Sequence, residues 1–283
     1  MKAPPRPPTP TRTPDERLQQ IENGLTTLGL KEMLAALQEA LATPAPEETR
    51  LDWFWRILEP QVRKRLENRI ESRVKDAKLP VRKTFQDFDF AFQPTLDRDL
   101  LMELATLRFV DQGRNVLLAG MSGTGKTHIA LALGLVACVA NRRVLYTSSS
   151  AMLARLTASL ADGTLASALK PYIRAELLII DEVGLEQLER KSATRSGLFQ
   201  KVLLPRHNQQ LSTIITSNIA WDAWGQFLDD QLGAAALLDR LLERSHVIVI
   251  NGPSYREWLH KQDLENSRTA EKVGQEVATT SAK

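Results

Sequence analysis

Apolar positions recur at two different periods along the chain. From Asp15 to about Thr43, Leu18, Ile21, Leu25, Leu28, Met33, Leu34, Leu37 and Leu41 follow helical spacing, with Asp15 and Glu16 in a favourable first turn. Gly24 and Gly29 predict a break into two helices. A linker, Pro44 to Glu48, precedes a second helical stripe of Leu51, Phe54, Trp55, Leu58, Val62, Leu66, Ile70 and Val74, with a kink expected at Pro60. Residues 15–80 therefore read as a small all-helical domain. After a connecting stretch with the aromatic cluster TFQDFDFAF the period changes. Short apolar strands, Val116 to Ala119, Val144 to Thr147, Leu177 to Asp181, Thr213 to Thr216 and Val247 to Ile250, alternate with helices, which predicts an α/β domain with a parallel sheet flanked by helices over residues 81–260. Six prolines among the first fourteen residues predict a disordered arm over 1–14, and the small polar residues at the other end predict a disordered tail over 261–283.

Composition narrows the class. A chain of 283 residues with 43% hydrophobic content can bury a substantial core. Cys138 is the single cysteine, which excludes an intramolecular disulfide and leads us to expect a reducing, cytoplasmic setting. The longest apolar run, Ile129 to Ala140, is too short to span a bilayer, so no membrane partner is expected. Net charge is only +3, yet Arg63 to Lys83 holds nine basic side chains against three acidic ones. A short charge run is usually no more than a solvated helix face. Here the excess persists over several turns, and Arg63, Lys64, Arg65, Arg69 and Arg73 become candidates for contact with the phosphates of double-stranded DNA.

The chemistry is carried by Gly120-Met121-Ser122-Gly123-Thr124-Gly125-Lys126-Thr127, a complete phosphate-loop pattern between the strand NVLLA and the apolar helix starting at His128. Its glycines let successive amides converge on phosphate oxygens at a helix N-terminus. Lys126 is expected to reach the β and γ phosphates, and the Thr127 hydroxyl to ligate Mg²⁺. About fifty residues later, Leu177 to Ile180 is an apolar run ending in Asp181 and Glu182. Asp181 is expected to hold Mg²⁺ through water and Glu182 to activate the attacking water. Asp181 to Gly184 also fits the D-x-x-G pattern of GTPases, but the later strand leads into Asn218-Ile-Ala-Trp rather than a guanine-reading N-K-x-D, so ATP is the expected nucleotide. Asn218, at the carboxyl end of that strand, is placed to orient the attacking water or to sense the γ phosphate.

With GMSGTGKTHIALALG, LLIIDEVG and STIITSN, the segments FDFAFQPTLDR and AAALLDRLLERSHVIVINGPSYR resemble the IstB-like transposition ATPases, relatives of the DnaC helicase loaders in the AAA+ initiator group. The resemblance covers about residue 18 to Trp258. It implies an AAA+ P-loop fold without a C-terminal lid, and a homo-oligomer with ATP sites at subunit interfaces. Arg240, in the DRL segment, matches the family's arginine finger, and Arg256, in SYR, matches a sensor arginine. His128 and the loop residues before it would line the nucleotide. The insert 184–210 is more basic than its family counterpart and has Arg206-His207-Asn208 where Arg-Tyr-Glu is common, so no family role passes to Arg206.

The resulting expectation is an ATPase that binds DNA, selects or prepares a target and stimulates an integrase-type transposase. A DnaC-like loader of a replicative helicase is the alternative, and a small-molecule P-loop kinase is disfavoured by the arginine-finger and sensor positions. Other conspicuous residues read as packing: Cys138 as a small core residue, Trp53 and Trp55 as anchors of the helical domain, Trp221 and Trp224 against the helix after Asn218. His128, His207, His246 and His260 lack ligand spacing.

Overall fold

The computed structural model describes residues 13–43, 45, 47–184, 194–228 and 230–263. Most of the expected N-terminal arm and C-terminal tail, Pro44 and Pro46 of the linker and the first part of the basic insert lie outside that set. The chain divides into two compact units, Met1–Glu71 and Ser72–Lys283.

The first unit is helical. Helix α1 (Pro14–Thr27) opens on a capping box: the Thr13 hydroxyl accepts from the Glu16 amide at 3.3 Å while the Glu16 carboxylate accepts from the Thr13 amide at 3.0 Å. The helix therefore begins inside the span expected to be disordered. It also runs through Gly24; the chain turns only at Gly29, at φ 68°, before α2 (Lys31–Ala42). Leu25, Leu37, Ala40 and Ile57 form its core, with Trp53 packed against them.

Helix α3 (Arg50–Ala77) runs through Pro60 and crosses the division between the units. The expected stripe does form a helix, with Val74 buried and Leu58 and Ile70 half-buried, but most of its apolar positions are uncovered. Leu51, Phe54, Trp55, Val62 and Leu66 are exposed, and Trp55 is no packing anchor. Within the first unit, the short α1–α2 hairpin covers α3 through Trp53 and Ile57, and the Met33 amide donates to Gln61 Oε1 at 3.4 Å.

The second unit is built on five parallel strands, β1 (Asn115–Gly120), β2 (Val144–Ser148), β3 (Leu177–Val183), β4 (Ser212–Ser217) and β5 (Ser245–Ile250), in the order β2-β3-β4-β1-β5. All five lie where the apolar runs predicted them. Around the sheet are α4 (Arg98–Ala105), α5 (Arg108–Asp111), α6 (Lys126–Val139), α7 (Ser149–Ala161), α8 (Leu165–Arg174), α9 (Thr194–Asn208), α10 (Trp224–Phe227) and α11 (Gln231–Glu243). This parallel sheet flanked by helices, preceded in the chain by a helical region, is the α/β architecture expected from the apolar runs.

Alternation along the buried strands sends successive side chains to opposite faces. Leu117, Leu178, Ile180 and Ile215 meet Met152, Leu156, Phe199, Val202 and Trp224 from α7, α9 and α10. On α6, an added Cβ at Gly134 would come within 2.7 Å of Ile179 Cδ1, so glycine allows α6 to lie close on β3. Cys138 is buried on α6, as expected, and burial pushes the thiol up to about 11, against the Arg73 charge. No helix among the described residues is long and apolar enough to cross a membrane.

Candidate active site

Parallel strands bring their carboxyl ends to one side of the sheet, and there β1, β3 and β4 deliver the motif residues. The loop after β1 turns at Gly120, Gly123 and Gly125, all at positive φ, and feeds α6, whose N-terminus faces a cavity of about 530 Å³. Ser122, Gly123, Thr124, Gly125, Lys126 and Thr127 line that cavity, as do His128, Glu182, Asn218 and Arg256. Gly120 and Met121 turn their carbonyls inward instead: Lys126 Nζ donates to Gly120 O at 2.8 Å and to Met121 O at 2.7 Å. Burial, assisted by the Arg256 charge, pulls the Lys126 ammonium down to about 8, against the pull of Asp181 and Glu182.

Beneath the loop, Asp181 is buried and accepts three hydrogen bonds. Thr127 Oγ1 donates to its Oδ1 at 2.9 Å, Thr216 Oγ1 to the same oxygen at 2.5 Å, and the Tyr146 hydroxyl to its Oδ2 at 2.8 Å. Burial and the Asp181 charge hold the Tyr146 phenol well above its usual value, so it remains a donor. A hydroxyl and a carboxylate in contact suit a hard, oxygen-seeking divalent cation, so Thr127 and Asp181 fit the expected Mg²⁺. That ion, bound with a nucleotide, would neutralise charge on the β and γ phosphates.

Glu182 is exposed to the cavity and has φ 63°, a left-handed backbone that costs a non-glycine residue roughly 1–2 kcal/mol. The β3–β4 register explains it: Ile180 pairs with Ile215, but the next pair is Val183 with Ser217. Two residues of β3 thus stand against one of β4, Thr216, as in a β-bulge.

The far wall comes from the segment before β1. Phe88 Cε2 would lie 2.6 Å from a Cβ added at Gly125, so glycine is required both for its φ of 100° and for this approach. His128 Nε2 lies 2.8 Å from the Thr84 carbonyl, which can only accept, so that nitrogen carries the proton; its ring meets Phe88 edge-on. From the other side the Tyr255 amide donates to Gly123 O at 3.0 Å, and the rings of Phe92, Tyr255 and Trp258 cluster there.

Six candidates lie elsewhere. Arg240 is exposed on α11 and does not line the cavity. The basic candidates follow α3: Arg63, Lys64, Arg65 and Arg69 are exposed, with Arg63 and Lys64 3.6 and 3.8 Å from Glu59 and Glu67. Arg73 is partly buried and donates to Asn141 Oδ1 at 3.0 Å. Sequence reasoning missed Tyr146 and Thr216, each an ordinary strand residue to the eye. It noted the aromatic cluster around Phe88 without assigning it.

Residues 23–263 match the family model for the IstB-like ATP-binding protein. The chain is 36% identical over 240 residues to an ATP-binding protein assigned to insertion sequence IS21 of Pseudomonas aeruginosa, covering 84% of this chain and 89% of that one. It is 34% identical over 205 residues to an insertion sequence IS5376 counterpart from Geobacillus stearothermophilus, covering 72% and 80%. Among solved structures, it is similar to the DnaC helicase loader, with TM-score 0.45, 21% identity, and coverage of 54% of this chain and 90% of that one.

Proposed function

Because this chain belongs to the family of IstB-like ATP-binding proteins, we propose that it hydrolyses ATP with Mg²⁺ as part of a DNA-binding homo-oligomer that selects or prepares target DNA and stimulates an integrase-type transposase. The observation carrying this reading is the meeting of the phosphate loop, Glu182 and Asn218 at one cavity, with Asp181 buried behind it and accepting from Thr127. Lys126 leaves its loop carbonyls for the phosphates, Thr127 and Asp181 hold the metal, and Glu182 takes the proton of the attacking water. Asn218 orients that water, and Arg256 adds positive charge at the cavity wall. Arg240, exposed and outside its own cavity, serves the site of a neighbouring subunit. Relatives assigned to insertion sequences support the link to transposition.

Double-stranded DNA meets the exposed α3 segment that carries Arg63, Lys64, Arg65 and Arg69, where phosphate contacts are independent of sequence. Arg73 joins them only if it exchanges Asn141 for phosphate. Anisotropy of a labelled duplex, titrated with the protein in ATP, in ADP and without nucleotide, tests the coupling. Tight binding in ATP that is lost in ADP is expected. Equal binding in all three states would overturn it.

A further inference from the structure

We propose that Thr216 is a positioning residue for both carboxylates of the site, its hydroxyl holding open the bulge from which Glu182 is presented. In a regular strand Asp181 and Glu182 would point to opposite faces, and their amides would follow the ladder. Here the Glu182 amide leaves the ladder and donates to Thr216 Oγ1 at 2.8 Å, while Thr216 Oγ1 donates to Asp181 Oδ1 at 2.5 Å. One hydroxyl thus accepts from the backbone of one acid and donates to the side chain of the other. Thr216 is fully buried and stands opposite the two-residue bulge between Ile180 and Val183. Its hydrogen can satisfy one acceptor; here that acceptor is the buried Asp181 carboxylate, so the lone pairs remain for the Glu182 amide. Without the hydroxyl, the amide of a left-handed residue loses its partner, and the carboxylate loses one of three donors. A side chain that acts through another in this way affects turnover more than nucleotide capture, because Lys126 and the loop amides are untouched.

The proposal rests on the ATPase reading above. Thr216→Val, Thr216→Ser and Thr216→Ala are compared with the wild-type chain in steady-state ATP hydrolysis, in binding of a non-hydrolysable ATP analogue, and in hydrogen exchange of residues 181–184 without nucleotide. Valine should lower kcat by about 10- to 100-fold, the usual cost of losing an orienting partner, with analogue affinity unchanged and amide exchange at Glu182 accelerated. Serine, which keeps the hydroxyl, should restore both turnover and protection. Alanine removes the hydroxyl without placing a methyl against Asp181, and carries the valine prediction should valine fail to fold. Wild-type turnover and protection in valine or alanine, or a serine variant as impaired as valine, would overturn the proposal alone. Absence of turnover in the wild-type chain would overturn the ATPase reading with it.

Discussion

Lys126 Nζ lies 2.8 Å from the carbonyl oxygen of Gly120, within the loop that Lys126 itself terminates. The cation is thereby held at the mouth of α6, poised between its own backbone and incoming phosphate. Lys126→Ala should remove tight ATP binding, since this cation meets the β and γ phosphates. Calorimetric titration checks it; wild-type affinity in the variant would reject the assignment.

Arg206 has a different task. It is fully buried on α9, and its guanidinium donates to Tyr172 O at 2.6 Å, Ala175 O at 2.8 Å, Thr213 Oγ1 at 3.0 Å and the Ser212 carbonyl. It ties the end of α8 to the start of β4. Arg206→Met should cost about 3 kcal/mol or more, because each carbonyl left buried without a partner costs roughly 1–3 kcal/mol. Urea unfolding measures this; a loss below about 1 kcal/mol would contradict the role.

The contrast between Arg206 and the phosphate loop shows what the sequence discloses. The loop and the strands are legible because each depends on neighbours in the chain: glycines beside a lysine, apolar runs ending in acids. Arg206 lies in a basic insert, where charge suggests solvent; its carbonyl partners become adjacent only when the sheet forms. Tyr146 and Asp181 are likewise joined by β2–β3 pairing, which places Ser148 opposite Asp181. The left-handed backbone at Glu182 has no local signal, since a register shift rather than a glycine produces it. On α3 the error runs the other way. Leu51, Phe54 and Leu66 have the period of a buried face, but periodicity does not specify whether a partner covers it.

Arg240 should act across a subunit boundary. Arg240→Ala protein is expected to bind ATP normally and hydrolyse it about 10³-fold more slowly, on the scale of arginine fingers generally. Mixed with Lys126→Ala protein it should regain activity, one variant supplying the pocket and the other the finger. No recovery at any mixing ratio, with co-assembly confirmed, would reject a role in trans.

Binding to duplex DNA should weaken steeply with salt. Charge reversal of Lys64, Arg65 and Arg69 together, all exposed on α3, should lower affinity and flatten the log–log salt dependence by about 0.9 for each phosphate no longer neutralised. Nucleotide affinity should stay the same. An unaltered slope in the folded variant would assign this segment to protein partners instead.

Glu182 decides whether the cavity performs hydrolysis. Its carboxylate reaches the cavity from a bulged, left-handed position, while the neighbouring Asp181 stays buried under Thr127. Glu182→Gln keeps the shape and removes the proton acceptor. The most direct measurement is single-turnover hydrolysis of labelled ATP by this variant beside its equilibrium ATP binding. The account predicts wild-type affinity with turnover abolished, and ATP trapped intact on the protein. Phosphate release at the wild-type rate would contradict it.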